Sequence, residues 1–380
     1  MSRITAVEPV VVGQQLARPF YFSQWEQHER AVCLVKVSTD DDVYGWGEGY
    51  GPADVVAAGI RFLAPFVLGE DPLHSATIWQ TLYRRSLDYA RRGVLVSAHS
   101  AIDIALWDIK GKLLQQPVSV LLGGPRRTSV AVYATGLYFT HTSDLPGALA
   151  AEAVTYAEQG FRAVKMKVGL GLTADVTNVT TVRSALGPDI QLMMDANHAY
   201  SRSEALALAR AVEDQNIGWF EEPVSPEDYE GYAELRLRTA IPIAGGECEA
   251  LCAGFRHLAS KQCVDIAQPD LGMAGGLTEG QRIAALMQTY GANVTPHCWG
   301  TGIAFAAALH FAATLDMIPG RLMAAEPLLE MDRSENPLRD ELTTPRFAAR
   351  AGRVAVPTAP GLGVDVDPAA LRHCARLLLT

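Results

Sequence analysis

The sequence has no apolar run long enough to cross a membrane, since none approaches the ~20 residues that a span requires. Positive charge is also scarce: 32 Lys and Arg stand against 42 Asp and Glu, for a net charge of −10. This balance argues against a nucleic acid or an anionic membrane as the partner. The opening MSRITAVEPVVV has strand-like alternation in place of a signal-peptide core, so we expect no export and a cytoplasmic location.

Cysteine is too sparse for a disulfide framework, with six in a chain of 380 residues. Cys248 and Cys252 flank Glu247, but no second Cys or His pair with zinc spacing accompanies them. We therefore interpret all six cysteines as reduced thiols.

What the sequence does contain is a regular repeat of short apolar runs that end in acids. The runs LMMDAN, WFEEP and IAGGE place Asp195, Glu221 and Glu247 26 residues apart each time. A strand–helix unit takes roughly 25–30 residues, so this spacing predicts an α/β fold of the (β/α)8 barrel type. With 49% apolar and 19% charged residues, the 380-residue chain has enough material for a barrel and a second domain.

The patterns divide the chain into three parts. Residues 1–125 combine strand patterns with the helix SAHSAIDIALWDIKGK and predict an N-terminal α+β capping domain. Residues 126–345 alternate strand and helix and predict the barrel. Residues 346–380 return to turns and short strands, which we expect to pack back on the capping domain and complete it.

Eight strands and two helix starts are predicted within the barrel. The strands are VAVYAT, RAVKMKV, QLMMDA, IGWFEE, PIAGGE, VDIAQPD, ANVTPH and LMAAEPLLE. Capping boxes at Ser201-x-x-Glu204 and Thr278-x-x-Gln281 are expected to begin two of the helices.

The three acids predict a metal site, because barrel enzymes place their functional side chains at the carboxyl ends of the strands. Taken alone, Asp195 could be a helix cap, and Glu221 with Glu222 before Pro223 could be a solvated turn. Three carboxylates converging on one point would repel one another without a cation, and an oxygen-only ligand set favours Mg²⁺. Asn197 is expected to orient this site or to contact a substrate.

Two groups of base candidates accompany the acids. Lys165 and Lys167 lie two residues apart in an apolar strand, so both should point into the barrel mouth, where repulsion and the cation would lower their pKa values. His297 ends another strand, and Asp270 on the strand before it could hold its ring. Alone, the lysines would be surface charges and the histidine structural. Together they suit removal of a proton α to a carboxylate, with the cation stabilising the enediolate.

These motifs carry a family resemblance over nearly the whole chain. The segments SAIDIALWDIKGK, KMK, DAN, EEP, GGE, QPD, PHCWGTG and PGLG resemble the mandelate racemase branch of the enolase superfamily. The resemblance implies the following site: Mg²⁺ on Asp195, Glu221 and Glu247, Lys167 as one base, Lys165 on the substrate carboxylate, Asp270 and His297 as the opposite dyad, and an acid on strand 8. Glu330 fits that last place best, with Glu326 as the alternative.

The resemblance also implies a substrate class. The WGTG after His297 and the segment EPLLEMDRSENPLRDEL are similar to those of acid-sugar enzymes, particularly those that open sugar lactones or cycloisomerise anhydro sugar acids. In such enzymes the loops of the capping domain set specificity. Here the loops would be residues 18–30 and 46–52, which suggests substrate contacts by Tyr21, Trp25, Tyr50 and, beyond the loops, Trp299. The alternative for these aromatic residues is ordinary packing.

Three functions stay open at this stage. The first is a Mg²⁺-dependent dehydratase or cycloisomerase of a sugar acid in carbohydrate catabolism. The second is a racemase or epimerase that uses the same two bases. The third is a catalytically silent, metal-binding relative, which the full set of bases and ligands disfavours. The expected partner is a small-molecule carboxylate, and the resemblance implies a homo-oligomer.

Overall fold

The computed structural model describes residues 2–318, 320 and 325–375, and its N-terminal part begins with an antiparallel sheet of three strands. These strands, in the order β1-β2-β3, are β1 (Ile4–Tyr21), β2 (Glu26–Thr39) and β3 (Tyr44–Gly49). The helices that follow are α1 (Ala53–Leu63), α2 (Ser75–Ser86), α3 (Val94–Leu114) and α4 (Val118–Leu121), with short 3₁₀ turns at Ala64–Phe66 and Pro72–His74. None of the helices in the described part of the chain has the length and apolarity required for a membrane crossing.

Helix α3 lies directly on strand β3 because three glycines face it. Gly45, Gly47 and Gly49 alternate along the strand, and a Cβ on Gly47 would lie 1.9 Å from the carbonyl oxygen of Ala101. The predicted apolar face of this helix is buried, as expected for a helix packed between a sheet and other helices. Because glycine has no side chain, the long helix can pack directly against the sheet, and the two form one core.

A parallel sheet of eight strands follows, with helices between its strands. The strands are β4 (Ser129–Thr135), β5 (Ala163–Lys167), β6 (Gln191–Asp195), β7 (Ile217–Glu221), β8 (Ile243–Gly245), β9 (Ile266–Ala267), β10 (Asn293–Val294) and β11 (Leu328–Asp332). The helices are α5 (Leu145–Glu158), α6 (Leu172–Leu186), α7 (Arg202–Ala211), α8 (Tyr229–Arg238), α9 (Leu251–Ser260), α10 (Gly276–Thr289) and α11 (Gly302–Thr314), with a 3₁₀ turn at Glu213–Gln215.

The order of the parallel strands is β10-β9-β8-β7-β6-β5-β4-β11, so the last strand of the series pairs with the first. No ladder joins β10 to β11 within the described ranges. The predicted α/β barrel with an N-terminal cap is confirmed.

The inner face of the curled sheet carries an apolar layer beneath the functional residues. Tyr133, Ala163, Met193, Trp219 and Ala244 form one buried cluster, each from a different strand. Because side chains alternate along a strand, the residues two positions further on emerge above this layer, on the same face. Those positions are Thr135, Lys165, Asp195, Glu221 and Gly246.

The C-terminal segment contacts both the barrel and the cap. It contains α12 (Pro337–Glu341), β12 (Thr343–Thr344), β13 (Arg353–Ala355), β14 (Asp365–Val366) and α13 (Pro368–Cys374). Strand β13 pairs antiparallel with β4. Asp365 accepts hydrogen bonds from Tyr44 (2.6 Å) and from Nε1 of Trp46 (2.9 Å). The tail completes the cap as predicted, whereas the domain boundaries at residues 125 and 345 stay predictions.

Local predictions had mixed outcomes. The capping box of Ser201 and Glu204 is present at the start of α7. The one predicted at Thr278 is wrong: α10 begins at Gly276, and the Thr278 hydroxyl instead donates to Asp103 of α3 (2.6 Å). Of the predicted strand LMAAEPLLE, residues 322–324 lie outside the described residues, and the strand itself begins at Leu328.

Candidate active site

The predicted site residues meet at the carboxyl ends of the barrel strands. They come from the ends of seven strands that are consecutive in the sequence, and all are buried: Lys165 and Lys167 on β5, Asp195 on β6, Glu221 on β7, Glu247 after β8, Asp270 after β9, His297 after β10 and Glu330 on β11. The barrel topology thus brings together residues that are up to 165 positions apart in the sequence.

The three acids predicted to bind metal share one network with the basic side chains. Oδ2 of Asp195 accepts from Nζ of Lys167 at 2.5 Å and lies 3.8 Å from Nζ of Lys165. Lys165 also donates to Glu221, and Oε2 of Glu247 lies 3.5 Å from Nε2 of His297. The three carboxylates are also electrostatically linked, because Asp195 and Glu221 both raise the pKa of Glu247.

The charges in this network shift the pKa values of the acids in different directions. Burial opposes ionisation of Asp195, but Lys167 and Lys165 outweigh it and lower the pKa of its carboxyl. Burial, reinforced by the neighbouring Glu222, raises the pKa of Glu247 to about 8. Repulsion between unneutralised buried carboxylates thus costs free energy at this point, and a divalent cation would relieve it.

The donor set fits a hard cation such as Mg²⁺. All three predicted ligands offer carboxylate oxygens, without sulfur or imidazole. Glu221 is also held in place, because Nε2 of Gln268 (2.6 Å) and Nε1 of Trp219 (2.8 Å) both donate to its Oε2. Hydrogen bonds of this kind orient the carboxylates that ligate metals.

The prediction of a lowered lysine pKa does not hold for Lys165. Burial lowers its pKa, but Glu221 and Glu330 outweigh that effect, and the pKa of the ammonium lies well above its ordinary value. Its Nζ is 3.0 Å from Oε1 of Glu330 and sits over the ring of Tyr133. Lys165 is therefore a fixed positive charge, suited to hold an anionic group.

Lys167 lies nearer the opening of the barrel. In addition to Asp195, its Nζ donates to Oδ1 of Asn197 at 2.8 Å. The rings of Tyr138 and Phe22 lie 5.2 Å and 5.6 Å from the same nitrogen. Aromatic faces and a single amide thus define the space around this ammonium group.

His297 and Asp270 form the predicted pair. Nδ1 of His297 lies 2.6 Å from Oδ2 of Asp270, whose Oδ1 accepts from the backbone N–H of Gly272. Burial lowers the pKa of His297, but Glu247, Glu330 and Asp270 together raise it to about 10. With Nδ1 held by Asp270, Nε2 faces the carboxylates and the space above them.

The acid on the last strand is Glu330. It is buried, accepts from Oγ1 of Thr135 (2.6 Å) and from the backbone N–H of Cys298 (3.0 Å), and has its pKa lowered to about 2, since Lys165 and His297 outweigh burial. Glu326 lies outside the site, with a half-exposed side chain 2.6 Å from Arg353.

The four aromatic residues that were predicted to contact a substrate lie in different surroundings. The ring of Tyr50 lies 5.5 Å from that of His297, at the site itself. The guanidinium of Arg30 lies over the ring of Trp299, with Cζ 3.4 Å from the ring centroid. Tyr21 packs on Phe139, and the half-exposed Trp25 packs on Phe22, so both lie at the rim. Substrate binding by these residues and by Asn197 stays a prediction.

The first loop of the cap is anchored to the barrel mouth. Oγ of Ser23 donates to the carbonyl of Ala196 (2.8 Å), and Nε2 of Gln24 donates to that of Asn197 (2.8 Å). The second predicted loop, residues 46–52, is partly strand, because β3 runs to Gly49. Trp46 points to the tail and Glu48 accepts from Thr301 at the start of α11, whereas Tyr50 lies beside His297.

Sequence reasoning missed several residues around the site. Gln268, Trp219 and Thr135 hold carboxylates, and Phe22 and Tyr138 surround Lys167. Residue alternation could have identified Trp219 and Gln268, because each lies two positions before a residue already assigned to the site, Glu221 and Asp270. Thr135 ends β4, a strand to which no site residue was assigned. No local pattern marks the two aromatic residues.

Comparison with known proteins identifies the family of the chain. The family "Mandelate racemase / muconate lactonizing enzyme, N-terminal domain" matches residues 4–123, and "Enolase C-terminal domain-like" matches residues 148–370. The chain is 41% identical over 369 residues to D-galactarolactone cycloisomerase of Agrobacterium fabrum, covering 97% of this chain and 98% of that protein.

Solved structures give the same assignment. The 3,6-anhydro-D-galactonate cycloisomerase of Zobellia galactanivorans is 51% identical, with a TM-score of 0.90 and coverage of 99% of this chain and 100% of that one. L-Talarate dehydratase of Polaromonas sp. JS666, solved with Mg and L-glucarate, is 31% identical, with a TM-score of 0.87 and coverage of 99% and 98%. The chain belongs to the enolase superfamily, in the mandelate racemase and muconate lactonizing enzyme group.

Proposed function

We propose that the protein is a Mg²⁺-dependent cycloisomerase that opens the ring of a cyclic sugar acid, either an anhydro sugar acid or a sugar lactone. The observation that carries the proposal is the pair of proton-transfer groups, Lys167 and His297, at the mouth of one barrel. Four strands separate β5 from β10 in the sheet order, so the two groups reach the carboxylate cluster from different sides. The similarity to two cycloisomerases supports the choice of substrate class.

Each group has a role that follows from its surroundings. Asp195, Glu221 and Glu247 would hold the cation, which when bound supplies positive charge to the substrate carboxylate and lowers the cost of removing its α-proton. Lys165 adds a fixed positive charge on the same side. Lys167 or His297 takes the α-proton, and the other donates a proton to the leaving oxygen.

The reaction then conserves all atoms. The α-C–H bond breaks, its electron pair passes through the carboxylate, and the bond between Cβ and the ring oxygen breaks. In an anhydro acid that oxygen takes a proton and becomes a hydroxyl group, and in a lactone it becomes part of a carboxylate group. The enol that remains tautomerises to a 2-keto acid. The product is an isomer of the substrate, because the leaving oxygen stays attached to the carbon skeleton.

The same site could serve two neighbouring reactions. A dehydratase differs only in that the leaving oxygen belongs to a free hydroxyl and departs as water, as the similarity to L-talarate dehydratase allows. A racemase would return the proton to the opposite face without breaking a C–O bond. A silent relative is disfavoured because both proton-transfer groups are present, oriented and buried.

The test is incubation with 3,6-anhydro-D-galactonate, D-galactarolactone and the acyclic acid D-galactonate in D₂O with Mg²⁺, followed by NMR and mass spectrometry. We expect a linear keto acid from a cyclic substrate, with deuterium at the former β-carbon and no loss of water. Keto acid from the acyclic acid alone would favour the dehydratase, and exchange without a keto acid would favour the racemase. No exchange with any of them would contradict the proposal for these substrates.

Self-association and location are further proposals. The family resemblance suggests a homo-oligomer, and the thiols and composition suggest the cytoplasm. Sedimentation at several concentrations checks the first: a monomer throughout would contradict it.

A further inference from the structure

A second group of ligand-type side chains lies beside the carboxylate cluster. Glu222 follows Glu221 directly after β7, and Cys248 follows Glu247 in the turn after β8. His198 comes from the loop after β6, three residues beyond Asp195. The mechanism proposed above uses none of these three side chains.

The geometry points to a second metal site, formed by His198, Glu222 and Cys248, that binds a cation of the zinc class. Nε2 of His198 lies 3.0 Å from Oε2 of Glu222 and 3.5 Å from Sγ of Cys248. The three ligand atoms all lie within 4.8 Å of one another. Zinc–ligand bonds of about 2.0–2.3 Å in a tetrahedron place neighbouring ligand atoms roughly 3.3–3.8 Å apart, close to the spacing found here.

The ring of His198 is oriented as in metal-binding histidines. Burial lowers its pKa, but Glu222 outweighs burial and raises the pKa to about 9, so a cation bound at Nε2 would displace a proton. Nδ1 of the ring lies 3.1 Å from the carbonyl oxygen of Val224, and because a carbonyl can only accept, Nδ1 carries the proton. In the neutral ring Nε2 then has the free lone pair, and it is Nε2 that faces Glu222 and Cys248. A backbone carbonyl on the other ring nitrogen is the usual support of a metal-binding histidine.

Glu222 supplies an independent indication. Its side chain is 1% exposed, and Oε2 makes no hydrogen bond of acceptable geometry, although it lies at ion-pair distance from Nε2 of His198 (3.0 Å). Buried carboxylate oxygens are normally hydrogen-bonded, paired or bound to a metal, and a cation shared with the imidazole would give this oxygen a ligand bond. This oxygen is directed at the imidazole and the thiol, the place where a cation would lie.

The ligand types select a different cation from the one at the barrel mouth. A thiolate and an imidazole favour zinc over magnesium, whereas the all-carboxylate cluster suits magnesium. Binding would form metal–sulfur, metal–nitrogen and metal–oxygen bonds and would release to solvent the thiol proton and the proton on Nε2 of the imidazolium. Three protein ligands leave a fourth position for water, which the incomplete burial of His198 and Cys248 permits.

The test uses Co²⁺ as a spectroscopic substitute for zinc, added to protein saturated with Mg²⁺. We expect one equivalent to bind with a sulfur-to-cobalt charge-transfer band in the near ultraviolet, displaced by Zn²⁺. Co²⁺ at the barrel mouth would give no such band, since its ligands are all oxygens. The band should disappear in Cys248→Ser and lose at least tenfold in affinity in His198→Gln.

Two controls make the result specific. Cys252→Ser removes a partly buried thiol four residues away and should leave the band unchanged. Asp195→Asn alters the carboxylate cluster and should also keep it. Circular dichroism checks that each variant folds, and His198→Gln serves if Cys248→Ser does not. Absence of the band in the unmodified protein, or its persistence in both ligand variants, would overturn the second site.

Discussion

Single residues at the barrel mouth are oriented by partners on neighbouring strands. Asp270 fixes the ring of His297, and Asn197 and Asp195 hold the ammonium group of Lys167. A proton-transfer group held in this way needs little reorganisation when a substrate arrives, which is how positioning accelerates a reaction. Replacing the partner should therefore damage the chemistry while leaving the fold intact.

Asp270→Asn is the first such change. We expect normal Mg²⁺ affinity but a loss of ~10²–10⁴-fold in kcat, the usual contribution of a positioned acid or base. The physical reason is that an amide no longer stabilises a charged imidazole. Calorimetry with Mg²⁺ and steady-state kinetics measure the two effects. Wild-type kcat in the variant, or a matching loss of metal affinity, would assign Asp270 another role.

Lys167→Ala and His297→Ala test the two sides of the site. Each should abolish ring opening, costing roughly 3–5 kcal/mol of transition-state stabilisation, with a circular dichroism spectrum like that of the wild type. Deuterium exchange at the α-carbon separates their roles, because only the variant that retains the base still exchanges. If both variants kept near-wild-type turnover on the true substrate, the two-group mechanism would be wrong.

The positions of most site residues could be predicted from the sequence. Asp195, Glu221, Glu247, Asp270 and His297 were all placed by strand ends and spacing alone, since side-chain alternation fixes which face a residue occupies. The pKa of Lys165 was misjudged, because its carboxylate neighbours come from other strands and their combined charge depends on distances. Likewise, no spacing rule could bring His198 to Cys248, which lie 50 residues apart.

Among the elements, helix α3 depends on the glycines of β3. Gly47→Ala should destabilise the protein by about 1–3 kcal/mol or prevent folding, because the new methyl group would collide with the backbone of Ala101. Urea unfolding measures the loss of free energy. Gly320→Ala is the control, since no atom of the described residues would lie within 4 Å of its Cβ. Equal stability of the two variants would show that the helix can move away.

Helix α11 carries a buried histidine that should make stability depend on pH. His310 accepts from the backbone N–H of Ser119 at Nδ1 (3.2 Å) and donates from Nε2 to the carbonyl of Leu362 (3.1 Å). Burial lowers its pKa to about 4. Below the unfolded-state pKa of about 6.5 the unfolded state binds the proton and the folded state remains neutral. Stability is therefore full above that value and falls between pH 6.5 and 4.

The loss from His310 should reach roughly 3 kcal/mol at pH 4. Denaturant titrations at several pH values measure it. His310→Gln should show a shallower dependence over this range, while His373→Gln, at an exposed position on α13, should keep the wild-type slope. A slope unchanged by His310→Gln would mean that the group does not titrate as proposed.

At the scale of the whole molecule, metal binding should raise the free energy of unfolding. A cation that binds only the folded state adds RT ln(1 + [Mg²⁺]/Kd), about 2.7 kcal/mol at a hundredfold excess over Kd. We expect the Tm to rise with Mg²⁺ and fall on adding a chelator, and this response should be much weaker in Glu221→Gln. Calorimetric scans with and without Mg²⁺ measure it, with Ca²⁺ as a comparison. Identical shifts in wild type and variant would place the cation elsewhere.

The overall architecture was also predictable, because a repeat of strand and helix leaves few possible topologies. The short strands β9 and β10 were located by their terminal motifs, although only two residues of each form ladder pairs. The start of α10 was misplaced because Thr278 is buried against α3 and binds Asp103, a tertiary contact that overrides a local capping pattern. The two-sided packing of the tail, on β4 and on the cap, has no local signature.

The tail has a consequence for how the protein is made. Residues 361–375 bind back to Asp108, Tyr44, Trp46 and Val12, so the first sheet gains its final partners only from the last part of the sequence. During translation the sheet of the cap is made before the tail. Part of its apolar surface therefore stays uncovered while the barrel is translated. The sheet of the cap is therefore completed by a segment that is synthesised after the barrel.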